Sequence, residues 1–452
     1  MAPELPQREA RLIIVAPHGL QNALKPYVDF KNKFLPTELV DLEQILASSP
    51  GVDDPERLKR YLYVEWQQDR RLRYVLLVGD RDAMPVRYMV LDRVTPAAFD
   101  YAFYPSDLYY EDLAKDDGTF EDWNGAKDDF HGGYFGEVRG EKNKGDPINF
   151  DQVSYRPKIA VGRWPVSTEA EAQIIANKSM AYEKGIRERT HPGLAKMKLF
   201  HPAGWVDARS LASHLEIKGW SAVNYLFQDS NPEFQTPPPD AEQVISALNA
   251  GCGLCVHIGH GSEVAWEGSP NHIKDGGKGP ILSTKRLAQL TNGDRLPVIF
   301  SCGCSTAHFA PLGPYERYVD IYGVDHPGTN QGETFKAPPP PEAPLQKFPI
   351  EAGLGKQLLV ANPSGAVAYI GCNTGSQPCG LSLLEGFVKA LGKAEQPALG
   401  ECWTSAIDFY REHEHLETLK PKPDDWYPPS IFFQGMKFML FGDPSLPMAG
   451  AE

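Results

Sequence analysis

The sequence has no apolar stretch approaching the roughly 20 residues that a membrane-spanning helix needs, so no helical anchor is expected. It also lacks a charged-then-apolar leader. MAPELPQREARLIIVAP carries acidic residues and only a short apolar run, which predicts a cytoplasmic protein. Positive charge is in deficit: 45 Lys and Arg face 59 Asp and Glu, a formal net charge of −14. That balance excludes nucleic acid and anionic membrane surfaces as main partners. Cysteine is scarce and one-sided. The seven cysteines, at 252, 255, 302, 304, 372, 379 and 402, all follow residue 250. An odd, clustered set at predicted strand ends is no disulfide framework and fits a reducing compartment. Cys252-x-x-Cys255 has no second pair to complete a zinc site, and Cys255 lies within an apolar run, so the pair reads as structural. Gly79-Asp80 follows a strand without a glycine-rich loop, which leaves nucleotide binding poorly supported.

What is present is an alternation of apolar runs with amphipathic stretches. RLIIVAP and RYVLLVG read as strands around the helical pattern PERLKRYLYVEWQQDRR, and KIAVGR precedes a long helix from Thr168 to Arg189 capped by Ser167 or Thr168. After Met197 the alternation resumes. KMKLFHPA, AVNYLF, GLCVHIG, LPVIFS and AVAYIG read as strands, with helices near 206–217, 240–250, 284–290 and 350–361, and Asp240 in a capping position. The expected fold class is α/β, with mostly parallel sheets flanked by helices in two subdomains, residues 1–190 and 191–452. Two segments interrupt it. Residues 101–151 are rich in Asp, Gly and aromatics, and the Pro-rich stretch from Val324 to Pro349 reads as an extended surface loop, either a decoration or an active-site lid or self-cleaved linker with Lys336 and Lys347 as cleavage points.

The runs LCVHIGHG and LPVIFSCGC end in small residues and carry an imidazole and thiols just beyond. Neighbouring parallel strands lie about 4.8 Å apart, so loops leaving their carboxyl ends can bring His260 near Cys302 or Cys304. A thiolate is the reactive form of cysteine, and an imidazole lets it form near neutral pH and returns a proton to a leaving group. Flanking glycines admit a substrate backbone and free peptide N–H groups for an oxyanion.

GHGSEVAW together with QLTNGDRLPVIFSCGCSTAHF resembles the catalytic core of the gingipain-like cysteine peptidases, family C25 of the caspase-like clan. RYVLLVGDRDAMP, KIAVGRWPVSTEAEAQIIANKSMAYEK, SGAVAYIGC and MKFMLFGDPSLPM resemble further family segments in the family's order. The resemblance implies a caspase/gingipain-like fold and peptide hydrolysis through a thioester. Cys304 is then the nucleophile and His260 the base, with Phe309 at the family's Phe position, while Cys302 falls two residues early. Peptide N–H groups near Gly261 and Cys304 would hold the oxyanion, and Asp207, Glu263 and Trp266 are expected at the substrate. Relatives support the His with a Glu where this chain has Ala203 or Gly204; Glu263 is an alternative support, and Asp207 is the nearby acid for an Arg or Lys preference at P1. His257 reads as a core residue and His308, expected on a following helix, as a spare base.

The chemistry itself requires no cofactor. Carboxylates clustered on a turn-rich segment suit Ca²⁺, although the EF-hand spacing is absent, and the segment resembles a calcium loop of relatives. The candidate ligands are Asp107, Asp112, Asp116, Asp117, Asp128, Asp129 and Glu137. The expected partner is a protein or peptide substrate, with a regulatory protein as a further one. Because the resembling family is largely secreted, secretion is the expectation if a leader has been removed. Two other readings stay open: a catalytically silent caspase-like scaffold that binds a partner, and a ligase or transpeptidase that passes the acyl group to an amine.

Overall fold

The computed structural model describes residues 10–90, 103–123, 134–135, 153–192, 195–202, 208–216, 219–227, 240–267, 279–310, 317–320, 322–328, 331, 333, 353–361, 363–393, 396–420 and 434–448. Ten strands form one sheet: β1 Arg11–Ala16, β2 Thr37–Asp41, β3 Leu72–Val78, β4 Ala160–Trp164, β5 Lys196–Pro202, β6 Ser221–Phe227, β7 Leu254–His257, β8 Val298–Ser301, β9 Ala368–Cys372 and β10 Phe438–Phe441. Their order across the sheet is β2-β1-β3-β4-β10-β9-β8-β7-β5-β6. Residues on both sides of position 190 thus contribute to the same sheet. Every neighbouring pair is parallel except β9 with β10. The direction therefore reverses once, and the carboxyl ends of β5 to β9 share one edge with the start of β10.

The strands are continuous apolar runs because both faces are covered. Leu254, Val256, Val298, Phe300 and Ile370 point into one layer with Leu383, Leu384, Phe387, Trp403 and Ile407. Cys255, Ile299, Tyr369 and Phe441 point into the other, with Leu24, Ile175, Val244, Leu248 and Leu358. Helices α2 Leu42–Ser48, α3 Asp54–Gln68, α6 Ala208–Glu216, α9 Leu381–Lys393 and α10 Leu399–His413 cover the first face. Helices α1 His18–Lys31, α5 Glu169–Arg187, α7 Ala241–Asn249 and α8 Leu354–Val360 cover the second, and the short α4, Leu108–Glu111, belongs to the acidic segment. Thr168 caps α5 by accepting from Glu171 N, and Asp240 forms a capping box with Gln243 at α7. The pattern near 284–290 is a 3₁₀ turn, Thr284–Gln289, instead of an α-helix.

Two buried features fix α8, which backs the site described below. Its first N–H groups donate to loop carbonyls, Leu354 N to Glu263 O at 2.7 Å and Gly355 N to Thr306 O at 3.0 Å. Its far end is held by Lys178 of α5, whose ammonium donates to the carbonyls of Leu358, Leu359, Ala361 and Ser364 at 2.7 to 3.1 Å. Of the Pro-rich stretch, residues 324–328, 331 and 333 are described. Asp325–His326 pairs with Tyr318–Val319 in a hairpin, so this stretch begins as ordered β structure where an extended loop was expected. Lys336 and Lys347 lie outside the described residues.

Candidate active site

β7 and β8 run in register from Leu254↔Val298 to His257↔Ser301, so their exit loops leave the sheet side by side. The two loops touch through their glycines. A Cβ built on Gly261 would stand 2.7 Å from Cys304 O and 2.5 Å from Thr306 Cγ2, and one built on Gly303 would stand 3.2 Å from Gly261 Cα. Only residues without a side chain allow this approach. It brings the turn carrying His260 against the turn carrying Cys304. His260 is exposed and Cys304 half-buried, whereas the other six cysteines are buried.

The turn after Cys304 is held in place by β9. Ser305 adopts a left-handed conformation with φ of 55°, an uncommon state for a residue with a side chain. It is fixed by hydrogen bonds from Ser305 N to Thr374 O, 2.6 Å, and from Ala307 N to Cys372 O, 2.9 Å. The loop leaving β9 then reaches the sulfur itself: Ser376 N donates to Cys304 Sγ at 3.3 Å, and Ser376 O stands 3.7 Å from the same atom. Among the described residues, the Cys304 N–H donates to no acceptor.

Beneath the turns lies a closed polar layer. His257 Nε2 is 3.1 Å from Glu267 O and its Nδ1 3.0 Å from Ser301 Oγ. A carbonyl can only accept, so the proton sits on Nε2 and Nδ1 accepts from Ser301. Thr306 Oγ1 is 3.2 Å from both Ser301 Oγ and Gly303 O. Burial pushes the His257 pKa down to about 3, opposed by the Glu267 carbonyl, and that of His308 down to about 4. Burial likewise raises the Cys302 thiol, whose backbone N–H is tied to His257 O at 2.8 Å. Cys252 and burial together raise Cys255.

Several expectations need correction. Trp266 is fully buried: its indole stacks on His257 with ring centroids 4.7 Å apart and donates to Tyr369 OH at 2.9 Å, so it faces core and not substrate. His308 sits on a turn, with its N–H on Ser305 O, and is buried; no helix carries it toward the site. Glu263 approaches His308, 4.0 Å from Nδ1, and its carbonyl anchors α8. Phe309 packs edge-on against Phe441. Ala203, Gly204 and Asp207 lie outside the described residues.

The acidic segment divides into committed and exposed carboxylates. Asp107 receives Arg163 in a buried two-point pair at 2.7 and 2.9 Å. Asp112 accepts from Ser154 Oγ, Trp123 Nε1 and Tyr155 N at 2.7 to 3.0 Å, and burial raises its pKa, partly offset by Lys59. Both carboxylates are thus engaged by donors of the protein itself. Asp116 is exposed and reaches Lys158 at 3.5 Å, and Asp117 is exposed and turns back on Thr119. Among the described residues, no group of three His, Cys, Asp or Glu side chains is arranged to hold a metal. Asp128, Asp129 and Glu137 lie outside the described residues.

Sequence reasoning missed Ser376 and the Ser301–Thr306–Tyr369 layer. Ser376 lies in the loop leaving β9, 72 positions after Cys304, and no motif marks it.

Similarity to known proteins extends along most of the sequence. Gingipain R2 and gingipain R1 of Porphyromonas gingivalis are each 23% identical over 308 residues, 67% of this chain; the match takes in 33% of the gingipain R2 sequence and 24% of gingipain R1. It thus spans a third or less of those relatives. An uncharacterized protein of Archaeoglobus fulgidus is 22% identical over 426 residues, 84% of this chain and 83% of that protein. Among solved structures, that of the Arg specific cysteine proteinase gingipain R superposes with a TM-score of 0.62 at 18% identity, covering 99% of this chain and 80% of the other. The complex of Porphyromonas gingivalis RgpB pro- and mature domains gives 0.60 at 18% identity, covering 97% and 80%. These likenesses establish the gingipain/caspase-like α/β fold. The model of peptidase family C25 matches residues 5–449, nearly the whole sequence, and the chain belongs to that family.

Proposed function

We propose that the chain is a cysteine endopeptidase in which Cys304 is the nucleophile and His260 the general acid and base. The observation that carries this reading is the contact of the two glycine turns, which sets the one cysteine outside the core beside an exposed histidine. His257 and His308 are buried and kept neutral by that burial, and buried Cys302 is poorly ionised, which favours His260 and Cys304 for the work.

In this mechanism Cys304 Sγ, as thiolate, attacks the scissile carbonyl carbon and forms a tetrahedral oxyanion. The Cys304 N–H, which bonds nothing among the described residues, is supplied as a donor to it, with a second from the Gly261 turn. His260 protonates the departing amine as the C–N bond breaks, leaving a thioester. A water deprotonated by His260 then attacks the thioester carbonyl, the acid product leaves, and the proton returns to restore Cys304. A preference for Arg or Lys at P1 is the working specificity, supported by the Arg specific relative and by Asp207 as the nearby acid in sequence.

The test is labelling of wild type, Cys304→Ala and Cys302→Ala with arginine- and lysine-directed acyloxymethyl ketones, read as intact mass. Label on wild type and Cys302→Ala alone is the expected result. Folded wild-type protein that takes no label and cleaves nothing in a broad peptide library would replace this reading with the silent scaffold. Amide products in the presence of an added amine would replace hydrolysis with acyl transfer.

A further inference from the structure

The loop leaving β9 is pinned before it reaches the nucleophile. Asn373 N donates to Lys437 O at 2.9 Å and its side-chain amide to Pro105 O at 2.5 Å, while Thr374 O holds Ser305 N. Two residues on, Ser376 offers the sulfur both of its backbone polar groups: O, an acceptor for an S–H, at 3.7 Å, and N–H, a donor to S⁻, at 3.3 Å. Either protonation state is therefore met without moving the chain.

Lys437 lies at this same corner. It immediately precedes β10, whose Phe438 pairs with Cys372, and 96% of its surface is buried. Burial lowers its pKa, and the sulfurs of Cys372, Cys379 and Cys304 oppose that shift, so all three stand within electrostatic reach. Among the described residues, Tyr410 and Glu414 act on Cys379 at this corner, and His260 lies on the opposite turn. An ammonium inside the protein acts through a lower effective dielectric than one in water.

We propose that this loop is a thiolate cradle for Cys304: the Ser376 N–H donates to the sulfur, and Lys437, buried at the foot of the loop, supplies the compensating positive charge. The inference rests on Cys304 being the nucleophile. It assigns the stability of the thiolate largely to residues outside the Cys-His pair, leaving His260 free to serve the leaving amine. Ser376 touches the reacting atom through its backbone, and Lys437 is a positioning residue acting through the field.

The experiment is alkylation of the intact protein by iodoacetamide at pH 6.5, with the rate at Cys304 resolved by fragment mass spectrometry. Lys437→Met and Ser376→Pro are each expected to slow Cys304 about tenfold, Lys437→Arg to stay within about twofold of wild type, and His260→Ala to slow it less than about threefold. Lys437→Gln replaces Lys437→Met if the latter does not melt cooperatively. Wild-type rates in both a folded Lys437 variant and Ser376→Pro would overturn the cradle, as would a loss in His260→Ala larger than in either. Alkylation needs no peptide turnover. A chain with these rates that cleaves nothing loses the peptidase reading and keeps the cradle; a peptidase whose rates do not move loses only the cradle.

Discussion

Gly261→Ala tests the contact on which the site depends. The added methyl would stand 2.5 Å from Thr306 Cγ2 and 2.7 Å from Cys304 O. Comfortable contact between such atoms begins near about 3.5 Å, so the two turns must part by about 0.8 Å. The first neighbour is a side-chain methyl that can shift, but the second is the backbone of Cys304, in a turn held by Ser305 on Thr374 and Ala307 on Cys372. Displacing a catalytic pair by about 1 Å can cost roughly a hundredfold in rate. We expect kcat/KM on an Arg-P1 fluorogenic peptide, or on labelled casein, to fall between about 30-fold and 100-fold, with a loss of about 1–3 kcal/mol in stability from overpacking. Thr306→Ser in the Gly261→Ala background removes the methyl clash and not the carbonyl one, so it should restore melting temperature more than activity. Gly19→Ala, with nothing within 4 Å of its Cβ, is the control that leaves activity unchanged. A folded Gly261→Ala with wild-type kcat/KM would refute the claim that these turns carry the reacting pair.

Three further perturbations address the surroundings. Asp107→Asn strips the buried Arg163 of its carboxylate and should cost about 3 kcal/mol, equally in EDTA and in millimolar Ca²⁺; a loss confined to the calcium samples would mean that Asp107 serves a metal after all. Lys178→Met leaves four carbonyls at the end of α8 without their donor, and urea denaturation should register a loss of about 3 kcal/mol; an unchanged midpoint would remove Lys178 as the anchor of that helix. His257 is held neutral down to about pH 3, whereas the unfolded chain binds this proton below about pH 6.5. Stability contributed by this group therefore rises with pH across that window, by about 1.4 kcal/mol per unit, and is lost on acidification. His257→Gln keeps a donor and an acceptor and should flatten the dependence between pH 4 and 6; an identical slope in the variant would exclude His257 as its source.

The strands at the heart of the site were legible because each is a short, unbroken apolar run, and their capping residues at α5 and α7 because capping is local. What the sequence did not disclose depends on partners far along the chain. Trp266 in a turn-rich stretch reads as a binding aromatic until its N–H finds Tyr369, 103 positions away. Asp107 reads as one more acid of a turn-rich segment until Arg163, 56 positions away, pairs with it. The reversal between β9 and β10 has no local signature, yet it is what brings Lys437 to the edge where Cys304 stands.

The choice between Cys302 and Cys304 shows how far local pattern reaches. Alternation along β8 puts Val298, Phe300 and Cys302 in one core layer, and the same period would send Cys304 there too. The strand ends at Ser301, however, and the left-handed Ser305 turns the chain so that Thr374 and Cys372 capture its backbone. Cys304 thereby leaves the core that Cys302 keeps. The exposure that makes one thiol available is set by a backbone conformation at its neighbour, which in turn is fixed by the end of β9 and the loop leaving it. Ser305→Pro, which fixes φ at about −65° and removes the N–H that Thr374 holds, would then loosen the sulfur from Ser376 while leaving Cys302 where it is, read as slower alkylation of Cys304 with Cys302 still protected.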